Sequence, residues 1–401
     1  MRRIIGRWLW LGAAVLIVPA LLRGGSWNNI LTSARAAAMG GAFVSISGDP
    51  GCIFFNPAGL SMESVWAVDL EGFYVRPDHS FSGPGWPKAT SRRDGAMPQG
   101  FVTYKPTPKL TFGFGVFLAY ASSAVDWKGQ DTGMPLKSAM GIYSFSPAIA
   151  YRLGDFLSVG LALNIYRSAL SLTAEMEPFG LITNDESGGA VSASLGLLAQ
   201  PSPKLSLGLC FKGPARMKTT GHTSLDYEGL ALRFPSETSF QLPWHADAGI
   251  SWRANSRLLF AASAEYALWA SLKTLDKVFK DVPLLGNVAV PAAMNLRNIL
   301  ILRAGLEWSV SSAFQARAGF SWDPSACPEE SLNLGNIDVD KLTVSLGGSW
   351  RTRGAQVDWA FGYAFGTSRS KRTGDAALET VETYDLDIFF AGLGLRFFMG
   401  K

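Results

Sequence analysis

The chain has 401 residues, is 48% hydrophobic and only 17% charged, and carries a net charge of +4. Charge this mild argues against a nucleic-acid partner. Cys52, Cys210 and Cys327 are too few and too far apart for a disulfide framework, and three distant histidines (His79, His222, His245) leave zinc without ligands, so no cofactor is implied.

Arg2, Arg3 and Arg7 precede an apolar stretch from Trp8 to Leu22. Positive charge before a short apolar core reads as a secretory signal over residues 1–26, with an uncleaved anchor helix as the alternative. After Leu22 no apolar run approaches the roughly 18 residues a spanning helix requires. An exported chain that is apolar without apolar helices has one common solution: strands that alternate, with one face in lipid and the other in water.

Residues 27–61 come next and contain two unusual blocks, Ser33-Ala34-Arg35-Ala36-Ala37-Ala38-Met39-Gly40-Gly41-Ala42-Phe43 and Phe55-Asn56-Pro57-Ala58-Gly59-Leu60. The alanine run predicts a short helix ended by Gly40 and Gly41, and Asp49-Pro50-Gly51 predicts a turn. Pro57 holds Asn56 extended, so its amide can be offered to a neighbouring backbone. An Asn-Pro turn leading into the first strand is the plainer reading of the same residues.

From residue 62 to 401 the period is two. Phe112, Phe114, Val116, Leu118 and Tyr120 alternate with small residues, as do Leu157 to Ile165 and Val357 to Phe365. The pattern predicts about fourteen strands, over 65–75, 100–104, 110–121, 143–153, 157–170, 189–200, 205–217, 243–253, 258–268, 299–310, 314–322, 341–351, 355–366 and 388–398. Short turns alternate with long polar loops at 76–99, 122–142, 171–188, 218–242, 269–298, 323–340 and 367–387, as in an up-and-down barrel of the outer membrane. Trp244, Trp252, Tyr266, Trp308, Trp322, Trp350 and Trp359 fall near strand ends, where interfacial girdles sit. A soluble sandwich of alternating strands is the competing fold, and these aromatics count against it.

If the apolar face meets lipid, His245, Asp247, Glu265, Arg303, Glu307, Arg317, Asp358 and Arg396 face the lumen. Charges of both signs in one interior suit a satisfied ion-pair network better than a filter. A barrel this wide also needs filling, and residues 27–61 can supply it as a hatch.

The Met39-to-Ala42 block, the run Phe55 to Leu60, and the paired strands from Pro243 to Trp269 resemble the FadL/TodX family of outer-membrane transporters for hydrophobic compounds. That resemblance implies an all-β, fourteen-stranded antiparallel barrel with an N-terminal hatch. It places the hatch motif Asn56, Pro57, Ala58 and Gly59 beside a kinked third strand, which opens sideways to the membrane. Gly113 and Gly115 on residues 110–121 are then the candidates for that opening.

Function follows as passive uptake of long-chain fatty acids or aromatic hydrocarbons by a monomer in the bacterial outer membrane, with lipid around it and no enzymatic activity. Trp86, Trp127, Met134, Phe179 and Phe279 on the external loops are the expected capture surface. The same blocks also resemble the PorV-like branch of the superfamily, which implies a scaffold or secretion accessory. A membrane hydrolase would need His245 to meet Ser251 or Ser263, and an open water-filled porin is a further reading.

Overall fold

Alternating side chains build a wall with two chemistries, and the chain closes that wall on itself. The structure, a computed structural model, describes residues 29, 31–60, 65–83, 86–122, 124–128, 135–176, 180–227, 230–335, 337–373 and 380–400. The expected signal over 1–26 lies outside the described residues.

Fourteen antiparallel staves follow in chain order. They are β1 (Trp66–Gly83), β2 (Trp86–Arg92 with Gly95–Thr107), β3 (Leu110–Ala121 with Val125–Trp127), β4 (Leu136–Arg152), β5 (Leu157–Met176), β6 (Gly180–Ser202) and β7 (Leu205–Lys212 with Ala215–Tyr227). The circuit continues with β8 (Leu230–Leu242 with His245–Arg253), β9 (Leu258–Ala267 with Thr274–Val282) and β10 (Gly286–Ala293 with Ile299–Ser309). It ends with β11 (Phe314–Asp323), β12 (Lys341–Arg351), β13 (Ala355–Gly366 with Arg369–Thr373) and β14 (Thr380–Met399). β14 pairs with β1 from Trp66↔Met399 to Ser82↔Thr383, which removes any open edge.

The outer face carries an exposed apolar belt, including Leu195, Leu209, Leu302, Leu346 and Leu395. Trp252, Trp308 and Trp350 bound it near the short turns, and Trp244, Tyr266 and Trp322 bound it at the other end. Such girdles mark the two faces of a membrane.

The staves are longer than the periodicity suggests. β1 has 18 residues, and at about 3.3 Å each with a tilt near 45° it rises roughly 42 Å, well above a lipid band of about 25 Å. Much of the expected loops 76–99, 171–188 and 218–242 is therefore wall standing clear of the membrane. Outward positions there, such as Arg216, Lys218 and Thr220 on β7, meet water and lose the apolar half of the pattern.

The segment 324–340 remains a long connection and folds inward, burying Ala326, Cys327, Leu332, Ile337 and Val339. Asp338 accepts hydrogen bonds from the Ala326 and Cys327 amides at 3.1 and 3.2 Å. Arg369 donates to the Cys327 carbonyl at 2.6 Å and Lys371 to the Leu332 carbonyl at 2.9 Å, strapping this lid to β13. Burial, reinforced by Asp338, pushes the Cys327 thiol up to about 12, so it stays protonated as an apolar filler.

Candidate functional site: a plugged lumen with a window in its wall

The segment 31–60 lies inside the cylinder, near the short turns. Helix α1 (Ala34–Ala38) starts at Ser33, whose side chain accepts from the Ala36 amide at 3.2 Å. It ends at Gly40, whose φ of 63° and contact with the Phe320 backbone both exclude a side chain. A second turn, α2 (Cys52–Phe55), leads into the Asn56–Pro57 pair.

Wall glycines form the bed of this plug. A Cβ on Gly160 would meet the Ala58 nitrogen, one on Gly196 the Asn56 side chain, and one on Gly319 the Gly40 nitrogen. Gly305 and Gly347 stand 2.7 Å from the Met39 carbonyl and 2.6 Å from the Ala38 methyl on the same construction. Their inward positions let backbone meet backbone across the lumen.

Ion pairs then lock the plug. Asp69, Arg396, Asp49, Arg35, Glu307, Arg317 and Asp358 form one chain of alternating charge. Its links are 2.6, 2.9, 3.5, 2.9, 2.8 and 2.8 Å. Burial alone would raise the Asp49 carboxyl, but Arg396 and Arg35 hold it below the ordinary carboxylate value. A second set lies farther from the turns. Lys212 pairs with Asp247 at 2.9 Å, His245 with Glu265 at 2.8 Å, and Glu265 with Arg303 at 2.7 Å. His245 also meets the Tyr120 hydroxyl at 3.1 Å, while Ser251 donates to the Ser45 carbonyl at 3.3 Å. These partners leave His245 out of any arrangement with a nucleophilic serine.

Asn56 is fully buried, and its amide donates to the Val44 carbonyl at 2.8 Å and to Leu197 on β6 at 3.0 Å. Its oxygen accepts from the Ala58 amide at 3.1 Å. The Asn56 amide thus reaches β6 and not the expected third strand, because the carbonyl it meets belongs to Leu197, while Ala58 lines a small hollow shared with Thr111 of that strand. The third strand is touched by its neighbours: Ile53 and Leu60 cover Gly113, and Phe54 packs edge-on against Phe117 at 5.5 Å.

Gly113 and Gly115 both pair on two sides, with Thr103 and Phe101 on β2 and with Ala148 and Ser146 on β4. They make room for Ile53 and Phe101, and the wall is intact at their level. The interruption falls farther along. β2 and β3 pair only up to Gly100↔Val116, while 95–99 keep their bonds to β1. β3 slips register against β4 between Leu118 and Tyr120, stays paired through Ala121↔Gly141, and pairs again at Val125↔Ser138. The Asp126 amide donates to Ser91 at 2.7 Å and closes the wall again. Between these two ties lies a window.

Its backbone groups are met by side chains. The Leu118 amide donates to Gln99 at 3.2 Å, its carbonyl accepts from Asn29 at 2.6 Å, and Gln99 also donates to the Leu31 carbonyl. The start of the plug is therefore tied to the window's edge. No regularity in the sequence announces this, since a strand that slips by one residue keeps an apolar composition.

A cavity of about 410 Å³ runs through the opening. Its lining takes Met140 from the inner face of β4 and Ala139, Gly141 and Tyr143 from the alternate face, so it passes through the wall. Within the lumen it is bounded by Leu31, Val75, Met97, Ile301 and Phe390, mostly apolar. On β10, β11 and β12 its residues Ile301, Ser321 and Thr343 lie farther from the short turns than Gly305, Gly319 and Gly347. The cavity therefore sits on the outer side of the plug. A larger hollow of about 680 Å³ at the outer rim is lined by Asp78, Lys88, Arg92, Asp385 and Asp387, a charged surface unsuited to apolar molecules.

Of the expected capture residues, Met134, Phe179 and the side chain of Trp86 lie outside the described residues. Trp127 is buried beneath the lid and donates to the Leu334 carbonyl at 2.8 Å; Phe279 is buried within β9. Both point inward because the supposed loops are wall, whose inner face needs filling.

Residues 23–392 match the family described as outer membrane protein transport protein (OMPP1/FadL/TodX). No curated protein matches the chain in sequence. A Pseudomonas aeruginosa FadL homologue superposes with a TM-score of 0.80 at 16% identity, over 93% of this chain and 99% of the other. The Ralstonia pickettii toluene transporter TbuX gives 0.75 at 18% identity, over 92% and 99%. The P. putida toluene transporter TodX gives 0.76 at 15%, over 93% and 100%. At these identities the likeness establishes the fold.

Proposed function

Because the chain belongs to the OMPP1/FadL/TodX family of outer membrane transport proteins, we propose that it takes up hydrophobic small molecules and releases them sideways into the membrane. The observation that carries this reading is the apolar cavity crossing the wall between β2 and β3. The protein resides in the bacterial outer membrane, and its family is one of transport channels.

The route runs from the outer rim past the lid into the cavity, and out through the window. An apolar ligand on this path moves down its own gradient, driven by transfer from water to hydrocarbon, about 25 cal/mol for each Å² buried. Because the window opens on the outer side of the plug, the plug stays in place while cargo leaves. Its role is then to keep water and ions from leaking across. A complete route lies within one chain, so a monomer suffices.

The test is uptake of radiolabelled toluene and of a labelled long-chain fatty acid by liposomes carrying the purified barrel. Faster equilibration than in empty liposomes supports the reading. Rates no faster than in empty liposomes for both compounds would sink it. Fatty acids and aromatic hydrocarbons are both admitted by an apolar lining, and the same assay ranks them.

A further inference from the structure

Just above the apolar belt, the outward face of β5, β6 and β7 turns basic. Arg167 on β5 and Lys218 on β7 both pair with Gly189 of β6, which stands between them. Arg216 lies two residues below Lys218 on the same face, and all three residues are exposed. With strands about 4.8 Å apart, the Cα atoms of Arg167 and Lys218 are roughly 10 Å from each other. A Cβ on Gly189 would collide with the Arg167 guanidinium, so the missing side chain lets that group lie across β6. Among the described residues no carboxylate pairs with Arg167 or Arg216, and Arg167 donates to the Tyr166 carbonyl at 3.3 Å. Lys218 holds Glu237 at 2.7 Å, but Glu237 also holds Lys280 at 3.1 Å, so that trio keeps one positive charge in excess.

The height of this patch matches that of lipid head groups. Arg167 is ten residues along β5 from Leu157, while Tyr266 of the outer girdle is eight along β9 from Leu258. At about 3.3 Å per residue and a tilt near 45°, Arg167 stands about 5 Å above that girdle, in the polar layer of the bilayer. Directly below it, Phe145, Ile165 and Val191 are cross-strand partners on the outward face of β4, β5 and β6. Directly above it, Ala169, Ser171, Ser187 and Thr220 line a hollow of about 480 Å³. Asp185 is also in that lining, but it stands four residues beyond Gly189, roughly 13 Å from the cations.

We infer that this face is a docking surface for an anionic lipid of the outer leaflet. Its phosphate rests over Gly189 among Arg167, Arg216 and Lys218, its acyl chains run down over Ile165 and Val191, and its hydroxylated head group enters the hollow. Guanidinium groups suit a phosphate because they present paired N–H donors to its oxygens. Lys218 can turn to the same phosphate, since an exposed pair such as that with Glu237 is worth little. The apolar floor beneath the cations commits the site to a lipid, because a free phosphate gains nothing from it. The site stands apart from the transport reading, although it adjoins the window: Tyr143, which lines the cavity there, is the cross-strand partner of Arg167.

The test is native mass spectrometry of the intact barrel, released from nanodiscs that hold equal amounts of phosphatidylglycerol and phosphatidylcholine with the same acyl chains. Retained phosphatidylglycerol is expected to exceed phosphatidylcholine at least about fivefold, roughly the preference that one cation at a membrane surface confers. Arg167→Gln with Arg216→Gln is expected to bring the ratio below about twofold. Arg76→Gln with Arg92→Gln removes the same charge from the outer wall where Asp78 already pairs both arginines, and is expected to keep the ratio above about threefold. The comparison in the unmodified protein stands even if a variant fails to fold. A ratio below about twofold in the unmodified protein, or an equal loss in the two variants, overturns the inference. Displacement of the retained lipid by millimolar inorganic phosphate also overturns it, because a plain anion site would then suffice.

Discussion

The plug bed and the window occupy the same wall and are built by opposite means. At the bed, glycines bring backbone against backbone and a seven-membered chain of charges ties plug to wall. At the window, the ladder between β2 and β3 stops at Gly100↔Val116, and two amide side chains, Gln99 and Asn29, meet groups left on the β3 edge. Close packing and paired buried charges resist movement; a gap held by a few side-chain bonds yields to it. On the function proposed above, sealing falls to one region and passage to the other.

The largest effect is expected from breaking the bed. Gly160→Leu together with Gly319→Leu places side chains where the Ala58 and Gly40 backbones now lie. The plug cannot remain, and a fourteen-stranded wall without filling leaves an aqueous channel. Planar bilayers should show discrete conductance steps that the unmodified protein lacks. Heat-modifiable gel migration checks that the barrel has folded, and a silent bilayer from folded protein contradicts the assignment of sealing to the plug.

A pair of disulfides sharpens the contrast. Gln99→Cys with Leu118→Cys ties the window's two edges, whose side chain and backbone are already bonded at 3.2 Å. Oxidation should slow uptake by about tenfold, with recovery on reduction, as expected for a closed gate. Ala38→Cys with Ser345→Cys ties the plug to β12, where the Ser345 hydroxyl donates to the Ala38 carbonyl at 3.2 Å. That bond should leave uptake within about twofold of normal, because on the proposed route cargo leaves without passing the plug. The three native cysteines are buried and far apart in the chain, so they do not interfere. Uptake abolished by the second disulfide would place the plug on the route.

Next in size is Arg35→Met. It leaves Glu307 with Arg317 alone and Asp49 with Arg396 alone, and since each carboxylate keeps one arginine the loss is about 1.5–3 kcal/mol, the range of a hydrogen bond to a charged group. A lower unfolding temperature and intermittent conductance should follow, with uptake preserved. An unchanged unfolding temperature would mean that the charge chain adds nothing to the seal.

How far these regions were legible in the sequence differs for a physical reason. Where both faces of a stave have fixed chemistry, as at Leu157 to Ile165, the alternation announces the strand. Above the membrane both faces tolerate polar residues, and the stretch around Lys218–Thr219–Thr220 reads as loop although it is wall. The plug's local devices, the alanine run and Gly40, can be read because they act over a few residues. The carbonyl of Leu197 that receives the Asn56 amide is 141 residues away and leaves no local trace. The window is harder still. It consists of bonds not made, and the glycines that suggested it at positions 113 and 115 serve packing instead.

The smallest expected effect probes the seam between the two regions. Gln99 bonds at once to the Leu31 carbonyl at the head of the plug and to the Leu118 amide at the window's edge. Gln99→Leu keeps the bulk and removes both bonds, each contributing about 1 kcal/mol. The Leu118 amide then loses its substitute partner, so the edge opens more readily while the plug keeps its glycine bed and its charge chain. Uptake should rise by about two- to threefold, with no new conductance and little change in unfolding temperature. Conductance appearing together with faster uptake would show that plug and window move as one body, and the division between sealing and passage would have to be given up.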